Sequence, residues 1–250
     1  MEFTCELAGK VIRVHALFDS TRAFCRDYLT EGEPDFTLRI TQPDIDFERQ
    51  KSAREDELEG IPVRHFSDAY LETLAVYRKI VEWMLGEEIL LFHGSVVAVD
   101  GQGYLFTAKS GTGKSTHTRL WREVFGERAV MVNDDKPLLQ VTDHGVFAHG
   151  TPWNGKHRLS TNISVPLAAI CILERGEENR IVPITAREAL PMLFQQSYRS
   201  PEPQRMVLLM DLLDRMARQV RFYRLSCNMD RAAALVSYEG MSQTTLSDRT

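Results

Sequence analysis

The chain has 250 residues, 43% of them apolar and 26% charged, with a formal net charge of −5. This composition supplies a globular core and excludes disordered and fibrous classes, while the mild acidic excess argues against a protein that coats nucleic acid. Cys5, Cys25, Cys171 and Cys227 are scattered with no C-x-x-C pair, which argues against a zinc site or a disulfide framework; acids at the N-terminus and the lack of any long apolar run argue against a secretory signal or a membrane span, so a cytoplasmic protein is expected.

Up to residue 65, short apolar runs such as Lys10-Val11-Ile12-Arg13-Val14 alternate with polar stretches, which predicts a small β-rich N-terminal subdomain. Within it, Asp44 to Gly60 is dense in charge and reads as an exposed loop or charged ribbon. A main domain is expected over residues 66–241. It opens with a helix that Ser67 caps, that Leu71, Leu74, Val81, Met84 and Leu85 stripe, and that Gly86 ends. Ile89 to Val99 reads as one apolar strand, joined through Asp100-Gly101-Gln102-Gly103 to a second, Tyr104 to Ala108, as a hairpin. A helix is predicted from Lys114 to Phe125, closed by Gly126. Ala129 to Val132 is the next strand and ends at Asn133-Asp134-Asp135.

Two more hairpins are predicted: Leu138–Val141 with Val146–Ala148, and Leu167–Leu173 with Arg180–Ile184. Helices over 186–200 and 203–221, a short strand over 221–225 and a last helix from Met229 complete the domain. The methionine-rich stripe on the second of these helices reads as core. Residues 242–250 form a polar tail expected to fray. So many hairpins predict an α/β (α+β) fold with a mixed, largely antiparallel sheet.

The chemistry concentrates after the first hairpin. Ala108-Lys109-Ser110-Gly111-Thr112-Gly113-Lys114-Ser115 matches G-x-x-x-x-G-K-[ST] except at Ala108. Gly111 and Gly113 let successive amides face phosphate oxygens, and the helix N-terminus adds its dipole. Lys114 can reach the β- and γ-phosphates, and the Ser115 hydroxyl is a hard ligand suited to Mg²⁺. Ser110, Gly111, Thr112, Gly113, Lys114, Ser115 and Thr116 are therefore the candidate ATP-binding residues.

The acids that end the next strand, Asp134 and Asp135, are placed to work from the other side, one on Mg²⁺ and the other taking a proton from an attacking hydroxyl. His93 lies in the strand beside the loop. Gly150 to His157, with Asn154 and Lys156, is a candidate acceptor-substrate loop, and Arg187, Arg199 and Arg205 are weaker candidate clamps.

Three stretches together resemble the HPr kinase/phosphorylase group and, more distantly, ATP-type phosphoenolpyruvate carboxykinase: Leu91-Phe92-His93-Gly94-Ser95, Ser110 to Ser115, and Val132-Asn133-Asp134-Asp135. They span roughly residues 89 to 185. The hairpin entry into the loop distinguishes this group from NTPases whose loop leaves a parallel sheet. The resemblance implies an HPr kinase C-terminal-like domain with a hairpin-fed P-loop. It also implies Asp134 as the base that activates the acceptor hydroxyl, Asp135 and Ser115 as Mg²⁺ ligands, and His93 beside the catalytic acid. The group is often oligomeric, which leaves a homo-oligomer open.

The leading expectation is an ATP- and Mg²⁺-dependent kinase that phosphorylates a hydroxyl of a small molecule or of a peptide or protein serine. Two other readings stand beside it: a nucleotide-gated binding protein without phosphoryl transfer, and a phosphorylase that uses phosphate or pyrophosphate.

Overall fold

The structure is a computed structural model that describes residues 1–242; the expected tail, apart from Ser242, lies outside the described residues. The chain folds as two units, Met1–Met84 and Leu85 onward. No helix of the described residues is long and apolar enough to cross a membrane.

In the first unit, β1 (Glu2–Leu7), β2 (Lys10–His15) and β3 (Phe36–Arg39) form a three-stranded sheet in that order. The pair β1/β2 is antiparallel and β2/β3 is parallel. Between β2 and β3 lies the short α1 (Asp19–Phe24).

The charged stretch read as a loop or ribbon is instead a helix, α2 (Gln42–Glu59). A capping box starts it: Thr41 and Asp44 each satisfy the other's backbone N–H, with Pro43 in the first turn, and Gly60 at φ 69° ends it. Its buried acids are paired. Arg78 Nε donates to Glu48 Oε1 at 2.5 Å, and Arg64 Nε donates to Asp56 Oδ1 at 3.0 Å. Apolar periodicity misses this helix because caps and ion pairs hold it. Helix α3 (Asp68–Met84), started by Ser67, buries Leu71, Val76, Ile80, Val81 and Met84, and it packs within the first unit.

The second unit is built on a nine-stranded mixed sheet. The stretch read as one long strand is two, β4 (Ile89–Leu91) and β5 (Ser95–Val99), with Phe92-His93-Gly94 between them. The first pairs with β8 (Leu138–Thr142); the second pairs with β6 (Gln102–Thr107) and with β7 (Ala129–Asn133). Next come β9 (Gly145–His149), β10 (Ser164–Arg175), β11 (Arg180–Ile184) and β12 (Arg221–Cys227).

Most pairs are antiparallel, as predicted, but β10 pairs in parallel with both β6 and β12. The expected hairpin of β10 with β11 does not form, because β12 lies between them, parallel to β10 and antiparallel to β11. The turn that suggested a hairpin is satisfied from the end of β12 and from Asn228 just beyond it: Gly176 N–H donates to Cys227 O at 3.0 Å, and Asn228 Nδ2 donates to Glu177 O at 2.8 Å.

Helices cover both faces. On one side, α5 (Ala186–Gln196) and α6 (Pro203–Gln219) pack over Val96, Leu105, Leu167, Ile170 and Ile172. On the other, α4 (Lys114–Phe125) and α7 (Ala232–Ser242) pack over Val97, Phe106, Ala169, Cys171 and Leu173. Alternate residues of β5, β6 and β10 thus enter opposite cores, which is why these strands read as unbroken apolar runs. The burial leaves the ends of β6 and β7 and the first turn of α4 as the place where polar groups converge.

Candidate functional site

The hairpin of β5 and β6 delivers the chain into the glycine-rich loop, and α4 begins at Lys114. Gly111 and Gly113 have φ of 75° and 122°, a region open to glycine and strained for other residues. Ala108 is fully buried at the end of β6 and is absent from the positive-φ residues, so its departure from the motif causes no strain. Lys114 Nζ donates to Ala108 O at 3.2 Å, which folds the side chain back along the loop. Burial pushes the Lys114 pKa below its ordinary value, against the opposing pull of Asp135 and Asp134. An anion held in the loop would relieve that cost. Ser115 and Thr116 lie in the first turn of α4, half-buried.

The acids are fixed from the end of β7. Buried Asn133 organises them: its Oδ1 accepts from Asp135 N–H at 2.8 Å and from Lys136 N–H at 2.7 Å, while its Nδ2 donates to Thr151 O and Thr151 Oγ1, both at 3.0 Å. The chain therefore turns away from the strand at the two carboxylates. Asp134 is buried, and Ser95 Oγ donates to its Oδ1 at 2.7 Å; the same hydroxyl lies 3.1 Å from Thr118 Oγ1 on α4. Asp135 is more accessible and pairs with His93, Nε2 to Oδ1 at 3.0 Å. Burial pushes the Asp135 carboxyl up, but the His93 bond and the Lys136, His93 and Lys114 charges outweigh it and hold it below the usual carboxylate range. His93 thus stands beside Asp135, whereas Asp134 is served by Ser95.

The break between β4 and β5 sets His93. Its N–H donates to Gln196 O at 2.7 Å, its carbonyl accepts from Thr107 Oγ1 at 3.1 Å, and Gly94 N–H donates to Asp135 O at 3.0 Å. A Cβ on Gly94 would come 3.0 Å from Leu105 Cδ2 and 3.2 Å from Phe106 O, so this crossing suits glycine. The fold thereby brings together Lys114, Asp134, Asp135, His93 and Ser95.

Loop 150–157 reaches the same place: the Cβ position at Gly155 is 3.1 Å from Asp135 Cβ. Trp153 is buried as an anchor, Asn154 Nδ2 donates to Ser160 Oγ at 2.7 Å, and Lys156 is exposed. Of the arginines singled out in the sequence, Arg205 Nε donates to Glu202 at 2.8 Å, Arg199 lies 5.6 Å from the Phe194 ring centroid, and Arg187 is exposed. Arg175, at the end of β10, reaches the loop: its Nη2 donates to Gly111 O at 2.5 Å. A single arginine closing a twelve-residue strand carries no local signal of that contact. Asn133 was visible only as a residue next to two acids.

Among the described residues, no cluster of three or more His, Cys, Asp or Glu side chains forms a ready-made metal cage. Mg²⁺ does not need one, since one or two protein oxygens with phosphate and water suffice, and the hydroxyl and carboxylates here are hard oxygen donors of that kind.

The fold and the site define a mixed α/β protein whose glycine-rich loop, fed by a hairpin, faces a fixed pair of carboxylates. The family model described as SynChlorMet cassette protein ScmC matches residues 67–235, and the chain belongs to that family. No curated protein matches the chain. Among solved structures it is similar to the Hpr(Ser) kinase/phosphatase from Coxiella burnetii, at 12% identity and a TM-score of 0.36, over 60% of this chain and 86% of that one. A likeness at that level decides nothing about reaction or substrate.

Proposed function

We propose that the second unit is an ATP- and Mg²⁺-dependent phosphotransferase whose acceptor is a hydroxyl, on a small molecule or on a peptide or protein serine. The observation that carries this reading is the convergence of the Gly111–Ser115 loop with Asp134 and Asp135 on the end of β7. In this reading the loop amides, Lys114 and the N-terminus of α4 hold the triphosphate. Asp135, held ionised and the more accessible of the pair, and Ser115 are the groups suited to Mg²⁺, which when bound offsets the charge on the phosphate oxygens. Asp134, buried and steered by Ser95, takes the proton.

The acceptor oxygen then forms a bond to the γ-phosphorus, its proton passes to Asp134, and the bond to the β,γ-bridging oxygen breaks to release the nucleoside diphosphate. Lys114 offsets charge on the transferring group. His93 steadies Asp135, and loop 150–157, with Asn154 and Lys156, is the proposed acceptor side because it packs against the same acid.

The test is transfer of label from γ-labelled ATP, with Mg²⁺, into the small-molecule and protein fractions of a cell extract. The unmodified protein labels one fraction, and Asp134→Asn, which keeps nucleotide affinity, loses at least about a hundredfold in transfer. Transfer retained in Asp134→Asn removes the base assignment. Nucleotide binding without transfer into either fraction replaces the kinase with a nucleotide-gated binding protein, and formation of pyrophosphate from added phosphate points to the phosphorylase.

A further inference from the structure

A cleft of about 530 Å³ opens beside the glycine-rich loop. Its place is set by topology. Strands β6, β10 and β12 run parallel, so their carboxyl ends lie on one side, where ligands of open α/β sheets gather. One wall is the loop itself, from Gly111 to Gly113, with Thr116, His117 and Leu120 of α4; the other walls come from the ends of β10 and β12. The cleft is therefore continuous with the groups proposed to hold the triphosphate. Arg175, on its rim, ties it to the loop through the 2.5 Å bond to Gly111 O.

The lining has two components. Leu120, Leu173, Cys227 and Met229 offer apolar surface, and Met229 is 79% exposed, so its side chain is free to fold over a ligand. The polar component includes Thr116, Arg175, Asn228 and His117; His117 is only 2% exposed, and its Nδ1 has no hydrogen-bond partner among the described residues. Its other ring nitrogen is engaged. Trp121 Nε1 donates to Ser237 Oγ at 2.8 Å, and Ser237 Oγ donates to Ala234 O at 3.0 Å. His117 Nε2 lies 3.1 Å from the same hydroxyl. Trp121 Nε1 also lies 3.2 Å from His117 Nε2, so this nitrogen is served as donor to Ser237 or as acceptor from Trp121, and in either tautomer Nδ1 is left without a partner among the described residues. A buried polar atom without a partner is costly, and a ligand bearing the complementary group removes that cost.

We propose that this cleft is the nucleoside subsite of the triphosphate site, with the base lying against Leu120, Leu173, Cys227 and Met229 and with His117 Nδ1 hydrogen-bonded to the nucleoside. The inference rests on the phosphate-loop reading above. A nucleoside has flat apolar faces and a polar edge, which is the combination these walls match. Its partners for Nδ1 are of two kinds, a ring amino group or a ribose hydroxyl.

The test separates the subsite from the phosphate site. Affinities are measured for Mg·ATP and for Mg·tripolyphosphate, which lacks the nucleoside. Cys227 is half-buried while Cys5, Cys25 and Cys171 are buried, so a thiol reagent on the unmodified protein reports the cleft. The expected results are ATP binding at least tenfold tighter than tripolyphosphate, slowing of Cys227 modification by ATP and not by tripolyphosphate, and an about tenfold loss of ATP affinity in His117→Phe with tripolyphosphate unaffected. A drop with inosine triphosphate places the amino group on His117, and a drop with 2′-deoxy-ATP places the ribose hydroxyl there. Equal affinity for ATP and tripolyphosphate, with Cys227 unprotected, overturns the subsite and leaves the phosphate site standing. Failure of both ligands to bind overturns the two together. The thiol protection decides the matter if His117→Phe does not fold.

Discussion

Asn133 shows how one buried side chain can fix the chain at two neighbouring carboxylates. Its amide gives two hydrogen bonds to Thr151 and takes two from the backbone of Asp135 and Lys136, all in a buried setting. Asn133→Ala leaves several of these groups unpaired and is expected to cost about 2–4 kcal/mol in chemical denaturation; a cost under about 0.5 kcal/mol would contradict the role. Ser95 is a positioning residue of a gentler kind. Ser95→Ala removes the 2.7 Å bond to Asp134, so transfer is expected to fall about tenfold while ATP affinity holds. A parallel loss of affinity would mean that Ser95 shapes the nucleotide site instead. The carboxylates were legible in the sequence because they end an apolar strand soon after a glycine-rich loop. Asn133 and Ser95 were not, because their effect depends on Thr151 and Asp134, partners distant in the chain.

Among the elements, helix α4 and the hairpin of β5 with β6 were readable from local signals: a glycine-rich turn, an apolar strand, and Gly126 as a stop. The split of β4 from β5 was missed because the apolar residues on both sides of His93-Gly94 read as one run, although the two strands pair differently. The insertion of β12 between β10 and β11 was equally hidden, because a four-residue connection looks like a hairpin whichever strand finally pairs with it. In α2 the caps and buried acid pairs outweigh a weak apolar pattern.

One glycine tests how tightly these elements are fitted. At Gly150, just after β9, a Cβ would sit 1.9 Å from Thr161 O and 2.8 Å from Val132 O, both backbone atoms. Gly150→Ala is therefore expected to cost at least about 3 kcal/mol or to prevent folding, while Gly86→Ala, with open space around it, stays within about 0.5 kcal/mol. Similar stabilities for the two variants would show that the loop packs differently.

For the molecule as a whole, pH offers a further check. Burial pushes His149 down from 6.5 to about 4, and its Nε2 has no partner among the described residues. The folded protein thus holds this ring neutral where the unfolded chain would protonate it. The corresponding stability is complete above pH 6.5 and is lost as the pH falls toward about 4. The shift corresponds to something on the order of 3 kcal/mol. His149→Gln is expected to flatten the fall in stability across that window, and an unchanged pH profile would show that the acid sensitivity lies elsewhere.

Whether Gly111–Ser115 holds a nucleoside triphosphate with Mg²⁺ is the point on which the proposed function turns, and thermal unfolding tests it most directly. At a ligand concentration about a hundredfold above Kd, binding stabilises the folded state by about 2.7 kcal/mol. For a chain of this size that is a rise of roughly 5–10 °C in the unfolding transition. Such a rise is predicted with Mg·ATP, with its loss in Lys114→Ala and its weakening when Mg²⁺ is withheld. No rise in the unmodified protein, or an equal rise in Lys114→Ala, would contradict triphosphate binding at this loop.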